Sequence, residues 1–337
     1  MKTKKVNVVY FVGLDVHQNF TAYAVRNREG DVILEGSCAS NFQDLFEVLE
    51  PYLFSCVIGL ECNVEIYPIY EGFKDKSYDI RVANTVQLRT LIGKNDRLDA
   101  KRLSDMLRLG TFPIAFIPNK VVKSLRSLVV VRHGMMEESV RTQNRIKCLV
   151  RKYGLRKPTK DIGKTYISML EQYLVANPES FDLRHVVDHY SSTAVRLEKV
   201  TDQAVGFAKE HFPKEFEALI RHKGIGPVLV TYFLSEIGPI SRFKSEKKLR
   251  RYAGIVPCSS ESGGKIYGTY LPKTTSRGLL RWAMTQAAHC MIRSNENIRA
   301  YYRKKKKQKK IAGKAIMAVA SSVSDIIYKT LVSCQQE

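Results

Sequence analysis

The sequence has no run of 18 apolar residues, the length that a membrane-spanning helix requires, and no recognisable signal peptide. These absences argue against a membrane protein and predict a soluble, cytoplasmic one. The seven cysteines include no C-x-x-C pair and their number is odd. The cysteine pattern therefore does not indicate a zinc site or a disulfide framework, and free thiols in a reducing compartment are expected.

Acidic residues are scarce: 33 Asp and Glu stand against 55 Lys and Arg in 337 residues, a formal net charge of +22. Such an excess predicts a polyanionic partner, because neutralised phosphates release their counterions. Apolar residues make up 44% of the chain, which supplies a sizeable core and argues against a disordered polycation. A nucleic-acid-binding protein of two or three domains is the first interpretation.

The charge is unevenly distributed along the chain. Residues 1–115 hold 14 basic and 15 acidic residues, whereas residues 116–337 hold 41 and 18. Two strongly basic regions, 120–160 and 221–314, flank an acidic spacer over 161–220. The neutral first third cannot be the main phosphate-binding surface, so its carboxylates are the place to look for chemistry.

Residues 1–118 are predicted to form an α/β domain. β-branched and aromatic runs predict strands over 8–14, 20–25, 31–34, 55–60 and 79–83. Helices are expected over 41–53, with Asn41 as the N-cap, over 65–75, and from Asn95 or Asp96 onward. An antiparallel three-stranded meander followed by alternating helices and strands is the order typical of a ribonuclease-H-like fold.

From residue 119 onward the periodicity becomes helical. Residues 121–153 contain no proline and show helical apolar spacing, which predicts one long helix. Two apolar series repeat every seven residues within 183–211, the pattern of a coiled coil or helical hairpin. Residues 119–214 are therefore predicted to form long helices, and residues 215–337 a mostly α-helical C-terminal domain.

Four acids of the first domain occupy suggestive positions. Asp15 and Glu61 end two apolar strands, and Asp96 and Asp99 are spaced i, i+3 at a helix start. Converging carboxylates make a hard oxygen site suited to Mg²⁺ or Mn²⁺, and such ions can assist phosphoryl transfer. The alternatives are a strand-ending turn at Asp15, a surface acid at Glu61, and a capping box at Asp96 and Asp99.

Two basic features of the last domain suggest phosphate contact. Lys223-Gly224-Ile225-Gly226 between two predicted helices is typical of a helix-hairpin-helix turn, whose glycines let backbone N–H groups approach a phosphate. Residues 303–310 contain seven basic residues in eight. The alternatives are a plain linker for the first and a solvated helix face for the second.

Several short motifs together resemble one family. Gly13-Leu14-Asp15-Val16, Gly59-Leu60-Glu61 and the segment 94–100 resemble the three acidic blocks of the DEDD transposases, insertion-sequence recombinases related to the Piv DNA invertase. The segments at 224–227, 251–257, 261–264, 275–278 and 280–281 resemble that family's second transposase domain in order and spacing. The resemblance covers nearly the whole chain.

The resemblance implies a RuvC-like catalytic domain and a mechanism. Asp15, Glu61, Asp96 and Asp99 are read as Mg²⁺ (or Mn²⁺) ligands, and Ser262 as the nucleophile that attacks a DNA phosphate. Family members use a structured bridge RNA to pair with donor and target double-stranded DNA. They assemble as homo-tetramers in which the acids of one protomer act with the serine of another, in a bacterial or archaeal cytoplasm at the nucleoid.

The residues after Ser262 depart from the family pattern, because Ile266-Tyr267-Gly268-Thr269-Tyr270 stands where relatives often carry arginines. Tyr267 and Tyr270 are rival hydroxyl nucleophiles. The residues expected to contact nucleic acid are Lys223, Gly224, Gly226, Lys265, Lys273, Arg277, Arg281, Arg303, Lys304, Lys305 and Lys306. The long basic helix over 120–153 is the expected RNA contact.

Two other functions remain open at this stage. A RuvC-like hydrolytic nuclease for Holliday junctions would use the same acids, leave free DNA ends and be indifferent to Ser262. A non-catalytic nucleic-acid-binding protein would be unaffected by loss of Asp15 or Asp96.

Overall fold

A computed structural model describes residues 8–63, 65–92, 100–158, 162–262, 265–272, 277–309 and 311–336, with the backbone alone at 89–92, 259–262, 265–270 and 309. The chain divides into two compact units, Met1–Ile117 (unit 1) and Pro118–Glu337 (unit 2). This division lies next to the boundary expected at residue 118. The boundary expected at 214/215 stays a prediction, and residues 118–337 are described below as one unit.

Unit 1 is a mixed α/β domain built on a five-stranded sheet with the strand order β3-β2-β1-β4-β5. β1, β2 and β3 are antiparallel, which confirms the predicted meander, and β4 runs parallel to both β1 and β5. The described elements are β1 (Tyr10–Val16), β2 (Phe20–Arg26), β3 (Val32–Ala39), α1 (Phe42–Leu49), β4 (Cys56–Glu61), α2 (Ile66–Asp75), β5 (Asp79–Ala83), α3 (Thr85–Ile92) and α4 (Ala100–Arg108).

The first helix is shorter than its sequence predicts. Asn41 is its N-cap, as expected, and its side chain accepts a hydrogen bond from the Asp44 amide at 2.9 Å. The helix ends at Leu49 rather than Leu53, and Glu50–Ser55 forms a 3₁₀-helix. Pro51 explains the difference, because proline has no backbone N–H to donate to the preceding turn of an α-helix.

Two glycines let α4 lie close against the middle of the sheet. A Cβ atom on Gly13 of β1 would lie 2.0 Å from the Ala100 carbonyl oxygen and 2.6 Å from the Ser104 amide nitrogen. A Cβ atom on Gly59 of β4 would lie 2.8 Å from side-chain atoms of both Leu107 and Phe112. The contact with Gly13 is made by helix backbone, which cannot rotate away as a side chain can. Glycine at position 13 therefore sets how closely the helix N-terminus approaches β1.

Gly13→Ala is expected to loosen unit 1, because its methyl group would push α4 away from β1. Overpacking of this kind costs about 1–3 kcal/mol. Hydrogen exchange measured by mass spectrometry should show faster exchange in the β1 and α4 peptides. Gly134→Ala, in a helix of unit 2, is the matched control. Apart from the backbone of its own helix, no atom lies within 4 Å of a Cβ atom at this position, and alanine favours a helix over glycine. Unchanged exchange in the Gly13 variant would contradict the close-approach argument.

Unit 2 is mostly α-helical with one described β-hairpin. Its elements are α5 (Lys120–Lys152), α6 (Lys164–Ala176), α7 (Phe181–His211), α8 (Pro213–Ile220), α9 (Pro227–Ile237), α10 (Glu246–Ala253), β6 (Cys258–Ser262), β7 (Lys265–Tyr270), α11 (Gly278–Ser294), α12 (Glu296–Lys309) and α13 (Ala312–Ser333). Most of these helices surround one apolar core, to which α9 contributes a nearly continuous run of buried side chains.

The long helices α5 and α7 form an antiparallel hairpin, as the heptad pattern predicts. Near the hairpin's open end Arg132 Nε donates to Thr201 Oγ1 at 3.0 Å, and toward its closed end Lys152 Nζ contacts Asp182 Oδ2 at 2.9 Å. The heptad positions Leu183, Val187 and Ala204 are buried. Along α5, apolar positions such as Ile146 and Val150 are buried, whereas Arg141, Arg145 and Arg151 are exposed, so the helix keeps a charged, solvent-exposed side.

One described helix, α13, is long and apolar enough to cross a membrane by length and composition. It packs into the core of unit 2, where Val319, Val323 and Ile327 are fully buried. Its Asp325 forms an ion pair with Arg250 of α10, with 3.2 Å between Oδ1 and Nε. The apolar side of α13 is thus buried in the core of unit 2. The expected absence of a membrane partner stays a prediction.

Candidate active site and nucleic-acid interface

Asp15 and Glu61 lie at the same level of the sheet, where two neighbouring parallel strands end. The register of β1 and β4 pairs Gly13 with Gly59 and Leu14 with Leu60, so the two acids are the next residues along. Alternate residues of a strand point to the same face, which places both acids on the face of the two glycines. Neighbouring strands lie about 4.8 Å apart, so the two carboxylates are within reach of one small cation.

A polar residue stands two positions after each acid in the sequence, His17 after Asp15 and Asn63 after Glu61. His17 Nε2 donates to Asp15 Oδ2 at 3.2 Å, and the Asp15 side chain keeps 22% of its surface exposed. Asn63 Nδ2 donates to the Val16 carbonyl at 2.6 Å and thereby ties the ends of β1 and β4 together. His17 and Asn63 were not among the predicted site residues, although their i+2 spacing from the acids is a recognisable signal for a shared side of an extended chain.

The third acidic block cannot be placed in the same way, because Asp96 and Asp99 lie outside the described residues. The segment that carries them joins α4 at Ala100, whose carbonyl oxygen is the atom closest to Gly13 in the contact described above. The described residues contain no group of three or more His, Cys, Asp and Glu side chains that could hold a metal ion. Asp15 and Glu61 are thus the two predicted ligands whose positions the structure gives.

Ser262 is the last residue of β6, and its backbone pairs with Lys265, the first residue of β7. The register shifts between Ser260, which pairs with Gly268, and Glu261, which pairs with Ile266, so Tyr267 of β7 is the extra residue of a β-bulge. The predicted, mostly α-helical C-terminal domain did not include this hairpin. The available signal was two strand-like runs separated by Gly263-Gly264, a dipeptide typical of two-residue hairpin connections. The side chains of Ser262 and Lys265, and all of Lys273, lie outside the described residues.

Two of the expected DNA-contacting arginines bind other parts of unit 2. Arg277 Nε donates to Glu236 Oε2 at 2.7 Å, and the Glu236 side chain is only 1% exposed. Arg126 of α5 reaches the other carboxylate oxygen of Glu236 at 3.7 Å. Arg281 Nη1 donates to the Pro272 carbonyl at 2.9 Å. Arg277 therefore ties the start of α11 to α9, and Arg281 ties α11 to Pro272, while contact of either arginine with nucleic acid stays a prediction.

Arg277→Ala is expected to destabilise unit 2, because it removes a charged hydrogen bond from a buried carboxylate. Hydrogen bonds to charged groups contribute about 1.5–3 kcal/mol. Chemical unfolding followed by the fluorescence of the single tryptophan, Trp282, should report the loss, since this residue lies in α11 close to Arg277. Lys304→Ala, which removes an exposed charge from α12, is the control. Equal stability of the two variants would show that the ion pair contributes little.

The other predicted contacts divide by exposure. Gly224 has φ +97° and faces the backbone of Met291 in α11, so a side chain there would clash at 2.8 Å, whereas no atom lies within 4 Å of a Cβ atom on Gly226. The turn between α8 and α9 thus needs Gly224 for packing and leaves Gly226 open to a ligand.

Four of the basic residues predicted to contact nucleic acid are exposed and accessible to a polyanion: Lys223, Arg303, Lys304 and Lys306. Lys305 is half-buried and packs its ammonium over the Tyr301 ring.

Comparison with known proteins connects the two units to one family. A DEDD transposase model of the IS110 type matches residues 12–154, and the family model described as "Transposase IS116/IS110/IS902 family" matches residues 217–303. The chain carries both domains of an IS110-family transposase. The first match spans the four acids predicted as metal ligands, and the second spans Ser262.

The chain is similar to two proteins of insertion elements and to one putative transposase. The 44.8 kDa protein of insertion element IS116 from Streptomyces clavuligerus is 22% identical over 286 residues, 71% of each chain. A putative transposase, y4qE, from Sinorhizobium fredii is 22% identical over 75% of this chain and 64% of its own length. The 43.6 kDa protein of insertion element IS110 from Streptomyces coelicolor is 26% identical over 32% of this chain and 26% of its own length. Family membership implies DNA recombination, that is, cleavage and rejoining of DNA strands.

Proposed function

We propose that this transposase cuts and rejoins DNA through a phosphoserine formed at Ser262, with Mg²⁺ bound by Asp15, Glu61, Asp96 and Asp99. The observation that carries the proposal is the matched register of Asp15 and Glu61 at the ends of neighbouring parallel strands. The strand order of unit 1 and its antiparallel meander support a RuvC-like assignment for this domain. An isolated surface acid would need no such alignment.

The donor set of the first site fits a hard divalent cation. The two described ligands are carboxylates on one face of the sheet, and oxygen ligands of this kind are preferred by Mg²⁺ and Mn²⁺ over softer metals. Asp96 and Asp99, in the segment that joins α4 at Ala100, would complete the set. The cation would supply Lewis-acid stabilisation of charge on the phosphate oxygens and would offset the repulsion among the acids.

The residues of the site divide the remaining work. His17 orients the Asp15 carboxylate by hydrogen bonding, and Asn63 holds the two strand ends at a fixed separation. In the proposed step the Ser262 Oγ–P bond forms while the P–O bond to the departing nucleotide oxygen breaks, and the serine proton ends on that oxygen. A second DNA hydroxyl then reverses the step, so the phosphodiester energy is conserved without ATP.

The larger assembly is proposed on the resemblance and on charge. The two basic regions, 120–160 and 221–314, are separated in sequence by an acidic spacer, which suits a protein that holds two nucleic acids. We assign a structured bridge RNA to the exposed basic side of α5 and double-stranded donor and target DNA to the C-terminal region. A homo-tetramer, in which the acids of one protomer act with the serine of another, belongs to the same proposal.

The test uses full-length protein, labelled DNA carrying the ends of the element that encodes it, Mg²⁺ and RNA transcribed from its flank. A recombinase of the proposed kind yields a protein–DNA adduct that survives denaturing gel electrophoresis, followed by rejoined strands. A hydrolytic nuclease would yield free ends and no adduct. Adduct formation without the RNA would reject RNA guidance while leaving the serine mechanism in place.

A further inference from the structure

An open cleft of about 430 Å³ lies beside α10 in unit 2. Its lining combines cationic and aromatic side chains in one short stretch of sequence: Arg242, Phe243, Lys244, Lys248, Arg251 and Tyr252. The volume falls in the range of pockets that accept small molecules, roughly 300–1,000 Å³. None of the four cationic residues was among the predicted nucleic-acid contacts, so the cleft is a site that the acidic motifs and the family match do not assign.

The floor of the cleft is rigidly held. Arg242 Nε donates to the Ile237 carbonyl at 2.8 Å and Nη2 donates to the Glu236 carbonyl at 3.3 Å, both at the C-terminal end of α9. Its guanidinium carbon lies 4.2 Å from the ring centroid of Phe243 and 4.4 Å from that of Tyr252. A cation at a helix C-terminus is stabilised by the carbonyl groups there. The guanidinium is therefore a pre-oriented flat surface at the base of the cleft.

The rim carries cations without carboxylate partners. Lys244, Lys248 and Arg251 are exposed, and none of them forms an ion pair with a carboxylate among the described residues. Lys248 and Arg251 are three residues apart and lie on one side of α10, and Lys244 directly precedes Ser245, the N-cap of this helix. The carboxylates near this helix lie on its opposite side. There Arg250 forms an ion pair with Asp325. Burial raises the pKa of Asp325, and the nearby Glu246 carboxylate raises it further.

This combination matches the chemistry of an unpaired nucleotide. Single-stranded nucleic acids are held by basic residues along the phosphates and by aromatic rings or arginine planes on which bases stack. Duplex DNA offers its phosphates to the rim but keeps its bases stacked and out of reach of the floor. A purely electrostatic surface would need no guanidinium fixed against two aromatic rings.

We propose that the cleft binds an unpaired nucleotide of a single-stranded nucleic acid, with the phosphate at Lys244, Lys248 and Arg251 and the base against Arg242. The inference rests on the proposed function, in which the protein handles RNA and opened DNA strands. It deepens that function by naming the place in unit 2 where an unpaired stretch is held.

The first experiment measures binding of single-stranded RNA, single-stranded DNA and duplex DNA of one sequence by fluorescence anisotropy over a range of salt concentrations, with EDTA present. Lys248→Ala and Arg251→Ala each remove one rim cation, and Lys247→Ala removes the neighbouring exposed lysine that does not line the cleft. A lost phosphate contact lowers the salt slope for single strands by about 0.7, equivalent to about fourfold weaker binding at 150 mM salt. Lys247→Ala should leave the slope unchanged.

The outcomes separate the possibilities. Loss in the rim variants that is confined to the single-stranded ligands supports the cleft, and preference between RNA and DNA identifies the strand it holds. Equal loss in Lys247→Ala, or equal loss on duplex DNA, would overturn the proposal in favour of a diffuse basic surface. Failure of the unaltered protein to bind any of the ligands would overturn the proposed function together with the cleft.

A second experiment locates the base directly. A single-stranded oligonucleotide containing 5-iodouracil is irradiated with the full-length protein, and the cross-linked peptide is sequenced by mass spectrometry. Cross-links at Phe243 or Tyr252 are expected, with at least a fourfold lower yield in the Lys248→Ala, Arg251→Ala double variant. Cross-links that map only to other peptides would overturn the proposal, while the covalent adduct described under the proposed function would remain testable in the same preparation.

Discussion

Ser262→Ala is expected to abolish the covalent protein–DNA adduct and to reduce strand exchange by at least about 10⁴-fold, the scale on which loss of a nucleophilic serine acts. The methyl side chain of alanine has no oxygen that could form the P–O bond. Water cannot replace the serine, because attack by water would leave a free DNA end and no bond from which the strand could be rejoined. Denaturing electrophoresis of labelled DNA after incubation with Mg²⁺ and flanking RNA measures the adduct.

The matched controls for this prediction lie in the same hairpin. Ser260→Ala removes a hydroxyl two residues away on β6, and Tyr267→Phe and Tyr270→Phe remove the rival hydroxyls on β7. All three should retain the adduct. If the adduct persists in Ser262→Ala and disappears in one of the tyrosine variants, the nucleophile is that tyrosine. If no variant changes the DNA ends and the protein never becomes attached, the hydrolytic alternative is the better one.

Asp15→Asn and Glu61→Gln are each expected to lower the rate of strand cleavage by more than about 100-fold. Loss of a residue that only hydrogen-bonds a metal ligand usually costs less than this. Both substitutions keep the size of the side chain and remove its negative charge, so the effect reports on cation binding. Nucleic-acid binding should be retained, because unit 1 is close to neutral and the excess of basic over acidic residues lies beyond residue 115. Cleavage is followed on labelled DNA, and binding by anisotropy.

Asp79→Asn is the control for these two variants. Asp79 starts β5, so it lies at the other end of the sheet from Asp15 and Glu61, and it pairs with Arg81 at 2.7 Å. It should behave as the unaltered protein does. The non-catalytic interpretation predicts full activity in the Asp15 and Glu61 variants in every assay. Partial rescue of the Glu61→Gln variant by raised Mn²⁺ would further tie the loss to metal binding.

The elements of unit 1 were largely predictable, since most of their signals are local. The strand at Tyr10–Val16 follows from its β-branched and aromatic residues, and the helix after Asn41 follows from its capping residue. The third strand was predicted to end at residue 34 but continues to Ala39. The extension is polar and largely exposed, and its pairing with β2 maintains the strand where its own residues do not indicate one.

Site residues were predictable only in part. Asp15 and Glu61 could be selected because each ends an apolar strand, yet only the β1–β4 register shows that they stand side by side. The contact of Arg277 with Glu236 joins residues 41 positions apart and has no signature in local spacing. Arg277 was therefore expected on a DNA-binding surface, while the structure shows it bound to a buried carboxylate.

By itself the sequence determined the two-part character of the protein: a near-neutral α/β unit with paired acids, and a basic, mostly helical remainder. Charge, apolar periodicity and capping residues are properties of neighbouring positions, so they can be read along the chain. Only the tertiary structure decided that Gly13 admits α4 against β1, that the Ser262 segment is a strand, and that Arg242 forms the floor of a cleft. These features depend on contacts between distant segments, whose distances are set when the core packs.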